Sequence, residues 1–160
     1  MMLLPLIFIS LLGCKAANFP GTDTGNPDRK PDPPPSVPNS GAAFDSSFAG
    51  LLTQAVCLKI NGCVAGNQFT TCFEKVFLHS EITGVFTGKQ QSHLAELSTA
   101  EAKSEILAEP VQSRACLNQV LLLSCQSAEV TSGYDPSQPD DYSRVRLMFE
   151  NFNDCKTAYK

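Results

Sequence analysis

Apolar residues recur at intervals of three and four through most of residues 44–160, the spacing that lines up one side of an α-helix. Phe44, Phe48, Leu51, Ala55 and Leu58 trace such a stripe and predict a first helix that stops at Asn61-Gly62, with Cys57 well off the stripe. Phe69, Cys72, Phe73 and Val76 mark a second, with Asn67 or Thr71 as N-cap; Glu74, three residues after Thr71, completes a capping box. Periodicity lapses over 80–92, where Gly84 and Gly88 act as breakers. Ser98-Thr99-Ala100-Glu101 reads as another capping box, opening a short helix that ends before Pro110. Pro110 suits the first turn of the next helix, where its missing N–H costs nothing. That helix is expected to run through Cys116 and residues 120–123 to about Ser127, and its four successive apolar residues predict a central helix covered on more than one side. A polar loop with Gly133, Pro136 and Pro139 follows. Tyr142, Val145, Met148, Phe149, Phe152, Cys155 and Tyr159 then form the stripe of a last helix. Neither β-alternation nor a two-residue hairpin turn competes, so the expected fold is all-α, a small bundle of four to five helices.

The first 43 residues follow different rules. Residues 3–12 are an apolar run, too short for the roughly 20 residues of a membrane-spanning helix but matching the apolar core of a secretory signal. No Lys or Arg precedes it. Residues 15–43 hold seven of the eleven prolines among Gly, Asn, Asp and Ser, with only Phe19 and Val37 large and apolar. Nothing there offsets the entropy of ordering the chain, so a disordered tether is expected. At about 3.1 Å per residue in the extended polyproline conformation, it spans up to several tens of Å.

The junction between these segments, Leu11-Leu12-Gly13-Cys14, resembles the lipobox of bacterial lipoproteins. The resemblance implies cleavage before Cys14 and acylation of its thiol and amine. It implies a signal peptide over 1–13, a lipidated Cys14 with its tether over 14–43, and a helical domain over 44–160. Lys15 stands where some members carry a retention Asp, so the family's sorting rule favours the outer membrane of the cell envelope.

Composition narrows the partners. Sixteen acidic residues against twelve basic ones, a net charge of −4, argue against nucleic acid, which calls for a basic patch. They also argue against peripheral binding to anionic lipid, so the expected membrane contact is the acyl anchor alone. Setting Cys14 aside leaves Cys57, Cys63, Cys72, Cys116, Cys125 and Cys155, an even number that reads in an exported chain as three disulfides. No Cys-x-x-Cys is present to suggest a zinc knuckle, a redox pair or haem attachment. The paired spacings, Cys63 to Cys72 and Cys116 to Cys125, fall one residue short of the twin Cys-x9-Cys helical hairpins of the mitochondrial intermembrane space, and that family is rejected.

Nine residues of helix turn the chain by about 180°, so Cys116 and Cys125 face opposite ways on one helix and cannot bond each other. If the helix over 110–127 and the last helix are antiparallel neighbours, Cys116 and Cys155 differ in level by roughly 6 Å, whereas Cys125 lies about 20 Å from Cys155. This predicts a Cys116–Cys155 bridge. Cys125 then crosses to one of Cys57, Cys63 or Cys72, and the other two bond locally.

Candidate chemistry is sparse. Gly84-Val85-Phe86-Thr87-Gly88-Lys89 approximates a phosphate loop, but it is one residue short between the glycines and Gln90 replaces the hydroxyl that would hold magnesium. A flexible loop is the simpler reading. Asp135, Asp140 and Asp141 cluster before the last helix and could hold calcium in principle; the simpler reading is that Asp140 and Asp141 complement that helix's N-terminal dipole. His79 and His93 have no local partner that would make either a general base, and Phe69, Phe73 and Phe77 read as core. No catalytic residue, metal site or cofactor is expected. Two functions fit: an envelope lipoprotein presenting a disulfide-stabilised interaction or structural module to an unknown envelope protein, or a carrier enclosing an apolar ligand. A continuous apolar cavity would favour the carrier.

Overall fold

The computed structural model describes residues 45–64 and 66–160. The apolar leader, Cys14, the Pro-rich segment and Phe44 lie outside the described residues. The described body is all-helical: α1 (Phe48–Cys63), α2 (Phe69–His79), α3 (Leu94–Ala102) and α4 (Pro110–Leu122) form the bundle, and two short helices, α5 (Ala128–Gly133) and α6 (Asn153–Lys156), follow. Among the described residues the only β-type pairing is an isolated antiparallel bridge between Ala108 and Tyr159.

Helix α1 is central, packing against α2, α3 and α4. Its first four backbone N–H groups have no partner inside the helix, and each finds one elsewhere. Ser47 N–H donates to Asp45 Oδ1 at 2.8 Å, Phe48 and Ala49 N–H donate to the Glu101 carboxylate at 3.1 and 3.3 Å, and Gly50 N–H donates to Ser47 Oγ at 3.0 Å. Gly50 is required by space: a Cβ there would sit 2.3 Å from the Asp45 carbonyl oxygen. The helix runs through Asn61-Gly62 and ends at Cys63, whose follower Val64 turns extended.

The stripe expected on α1 is corrected. Phe48 and Ala55 of that stripe are buried, but Leu51 and Leu58 are 41% and 53% exposed, while Leu52, Val56, Cys57 and Ile60 are fully buried. A helix with neighbours on three sides is apolar nearly all round, so three-and-four spacing alone does not identify its inward face. The expectation for α4 is reversed by the same logic. Val120 is buried, but Leu122 is 84% exposed and Leu121 is exposed too, so α4 covers the bundle instead of centring it.

The last stripe is also broken into pieces. Its residues form turns, a 3-10 turn over Val145–Met148 and then α6, while α5 occupies part of the expected polar loop. Tyr142, Val145, Met148, Phe149, Cys155 and Tyr159 are nevertheless buried. The apolar pattern identified core residues correctly and their backbone wrongly. Residues 80–92 pack tightly as well: Gly84 and Gly88 take positive φ of 78° and 72°, and Ile82, Val85 and Phe86 enter the core. Phe86 lies edge-on to Phe48 (6.3 Å between ring centres) and Tyr159 (5.2 Å) and stacks near Phe149 (6.3 Å), so aromatic rings fill the space between α1, this loop and the C-terminal segment.

Three disulfides staple the body: Cys57–Cys72, Cys63–Cys125 and Cys116–Cys155. They tie α1 to α2, α1 to the turn after α4, and α4 to α6. The Cys116–Cys155 pairing and the crossing of Cys125 are as expected, but the helix levels behind that expectation are corrected: α4 stops at Leu122, short of Cys125, and Cys155 sits on the short α6. Cys63–Cys125 joins the C-terminal ends of α1 and α4, while at the other end Phe48 meets Tyr159 (5.3 Å), whose backbone bridges Ala108 just before α4. The two helices therefore run in the same direction.

Candidate functional site

Three surface features are candidates. The first is a cleft of about 430 Å³ between the end of α1 and the α5 region, lined by Ile60, Cys63, Val64, Cys125, Val130, Thr131, Tyr134, Asp135, Pro136 and Arg144. Its walls mix apolar carbons with a carboxylate and a guanidinium, and it opens to solvent. Tyr134 donates to the Pro139 carbonyl at 3.0 Å; burial and then the neighbouring Tyr142 push its phenol up to about 12. Asp135 accepts from both the Oγ (2.7 Å) and N–H (2.9 Å) of Ser137, which holds its carboxyl below the usual range.

The second is a polar pocket of about 240 Å³ lined by Lys75, His79, Ser80, Asp140, Asp141, Tyr142 and Ser143. Here the chain gathers His79 with two of the three loop aspartates, which sequence spacing did not reveal. Ser80 and Tyr142 build its floor: Ser80 Oγ donates to the Tyr142 carbonyl at 2.9 Å, and the Tyr142 hydroxyl donates to Asn67 Oδ1 at 2.9 Å. Asn67 therefore orients Tyr142 and does not cap α2, whose N-cap is Gln68 without a side-chain bond; Thr71 lies inside the helix. Asp141 accepts from the Ser143 N–H at 2.9 Å, and its hydrogen bonds to Ser143 lower its carboxyl. No helix starts beside Asp140 and Asp141, so the dipole role expected of them is not realised. Asp135 lines the other cleft, and among the described residues no three His, Cys, Asp or Glu side chains converge as metal ligands would.

The third is the outer face of α4, with a shallow groove of about 270 Å³ over Pro110, Val111, Arg114, Ala115 and Asn118. Val111 is 75% exposed; with Leu122 and Leu121, and with exposed Leu107 just before the helix, it makes an apolar surface. Arg114 is the sole charged residue of α4.

The remaining expected residues have structural surroundings. In the phosphate-loop-like segment, Thr87 N–H donates to the Lys156 carbonyl at 2.8 Å and Lys89 N–H to the Phe86 carbonyl at 3.1 Å. The first ties the loop to α6 and the second closes a turn within the loop, so both N–H groups are already engaged by carbonyls. His93 is the N-cap of α3 and, contrary to the expectation that it has no local partner, lies 3.5 Å from Glu96 on the surface; Glu96 also accepts from Ser92 N–H at 2.7 Å. Phe69, Phe73 and Phe77 are half-buried in a row, with centres 6.4 and 5.4 Å apart, and pack against the core.

Two features were missed from sequence. Ser98 and Glu101 lie within α3 and do not start it, yet they act as a capping pair for α1: Ser98 Oγ donates to Asp45, and Glu101 accepts from Phe48 and Ala49 N–H and from the Tyr159 hydroxyl. Burial and this Glu101 bond push the Tyr159 phenol well above its ordinary range, so it remains a donor. The other is the exposure of Cys125, for which its flanks Ser124, Gln126 and Ser127 were an available signal.

Comparison with protein-family models, with curated proteins and with solved structures finds no match to this chain.

Proposed function

We propose that this protein is a lipid-anchored module of the bacterial cell envelope that acts by presenting a surface, without catalysis, to an envelope protein partner. The anchor is Cys14, following the apolar run at Leu11-Leu12-Gly13, and the tether is the Pro-rich segment that precedes the helical body. Outer-membrane placement follows from Lys15 after the lipidated cysteine. One observation carries the presenting role: a surface helix, α4, turns Val111 and Leu122 outward on a face with a single charge. Apolar surface gathered on one face marks interaction sites more often than scattered exposed residues do. The carrier reading draws less support, because the cleft of about 430 Å³ is open and includes Asp135 and Arg144 among its lining residues.

The test is affinity capture from whole envelopes with the lipidated full chain. Val111→Lys with Leu122→Lys should abolish recovery of a specific partner while helical content and disulfides persist. A partner retained by that variant would sink the α4 assignment. Cys14→Ala should give a soluble or unprocessed product that no longer labels with fatty acid, since stable anchoring takes at least two acyl chains at about 0.8 kcal/mol per buried CH₂. Replacing His79, His93, Asp140 and Asp141 together should leave folding and capture intact; loss of a measurable turnover without unfolding would demand an enzyme instead.

A further inference from the structure

The three disulfides have unequal surroundings. Cys57, Cys72, Cys116 and Cys155 are fully buried, whereas Cys125 is exposed and Cys63 partly so. Disulfide exchange requires a thiolate to reach one of the sulfurs, so access separates the labile bridge from the inert ones. Cys63 and Cys125 also share the lining of the cleft of about 430 Å³, which gives an incoming chain a place to sit beside the bridge. Positive charge is close by. Arg144 lines the same cleft, and Lys59, one turn before Cys63, donates to the Leu123 carbonyl at 2.7 Å, two residues from Cys125. Cations beside a sulfur stabilise the thiolate that leaves it. Asp135, the carboxylate of this cleft, has one oxygen engaged by Ser137.

We propose that Cys63–Cys125 is a thiol–disulfide exchange site whose reaction partner is a dithiol, the form a protein with two neighbouring cysteines presents. The donor's thiolate attacks Sγ of Cys125, the more exposed of the two residues; a donor–Cys125 bond forms, the Cys63–Cys125 bond breaks, and Cys63 leaves as the thiolate. The donor's second thiol then attacks the mixed bond and closes the donor's own disulfide, releasing Cys125. Two electrons pass from the donor to the bridge, and the two donor thiol protons end on Cys63 and Cys125. Opening this bridge frees the α4–α5 connection from the end of α1, while Cys57–Cys72 and Cys116–Cys155 keep the bundle stapled. The site does not depend on the anchor or on the outer face of α4.

The oxidised full chain would be exposed to dithiothreitol without denaturant, quenched with an alkylating reagent at intervals and mapped by peptide mass. Cys63 and Cys125 should become alkylated together, at least about tenfold faster than the other four cysteines, with helical circular dichroism unchanged. Equal or earlier labelling of any buried pair, or labelling that appears only as helicity is lost, overturns the proposal. A thioredoxin-type dithiol protein lacking its resolving cysteine gives a second reading. An adduct through Cys125 supports the site; an adduct through another cysteine, or none, overturns it.

Discussion

At Glu101 one carboxylate of α3 accepts from the Phe48 and Ala49 N–H groups of α1 and from the Tyr159 hydroxyl. Removing it leaves partly buried donors without partners, a loss greater than that of an ordinary hydrogen bond. Glu101→Ala should therefore destabilise the domain by about 1–3 kcal/mol in urea denaturation, with Glu101→Gln losing less because its amide oxygen still accepts. Gly50→Ala forces a Cβ against the Asp45 carbonyl and should cost about 1–3 kcal/mol by overpacking, read by the same assay. Asp45 itself gives a pH dependence. Burial raises its carboxyl, but hydrogen bonds from Ser98 and Ser47 outweigh it and leave the folded value below the ordinary 3.8. The stabilisation is present above that value and lost as pH falls through the folded one. Wild type should thus lose stability below about pH 4, and Asp45→Asn should flatten that acid limb in a pH series of melts.

At the scale of elements, α1 poses the clearest test because adjacent leucines face opposite environments. Leu52 is fully buried and Leu51 substantially exposed. Leu52→Ala should cost about 2–5 kcal/mol, whereas Leu51→Ala should stay within about 0.5 kcal/mol; comparable losses in chemical denaturation would mean that α1 is rotated from the orientation described. Helix existence was legible from spacing for α1 and α2 and from Pro110 for α4, whereas the capping box read for α3 misplaced its start, which is Leu94 and not the residues after Ser98. Orientation was not legible, because α1 carries apolar residues around most of its circumference and α4 exposes several of its own. The C-terminal segment fared differently: Tyr142, Val145, Met148 and Phe149 keep a helical repeat, but the 3-10 turn ends at Met148 and α6 begins only at Asn153. Burial in a crowded core sets those side chains inward without a continuous helix, since turns can also direct successive apolar groups to one side.

For the molecule as a whole, the staples divide the labour. Removing Cys116–Cys155 as a double Ser variant should lower stability by about 2–4 kcal/mol and leave two hydroxyls in a dry site. Removing Cys63–Cys125 closes no such site to water, so its thermal-melt loss should be the smaller despite its longer separation, 62 residues against 39. A larger loss for Cys63–Cys125 would show loop closure outweighing burial. The sequence by itself determined the helical class and the six-cysteine framework, because these rest on periodicity and parity, which are local or countable; the Cys116–Cys155 pairing came out as expected although the continuous last helix along which it was measured does not form. Only the tertiary structure decided which helix is central, that Ser98 and Glu101 cap a neighbour, that His79 meets Asp140 and Asp141 at one pocket, and that Cys125 lies exposed. Each of these depends on which surfaces meet across long stretches of chain, and residue spacing within one element carries no record of its neighbour.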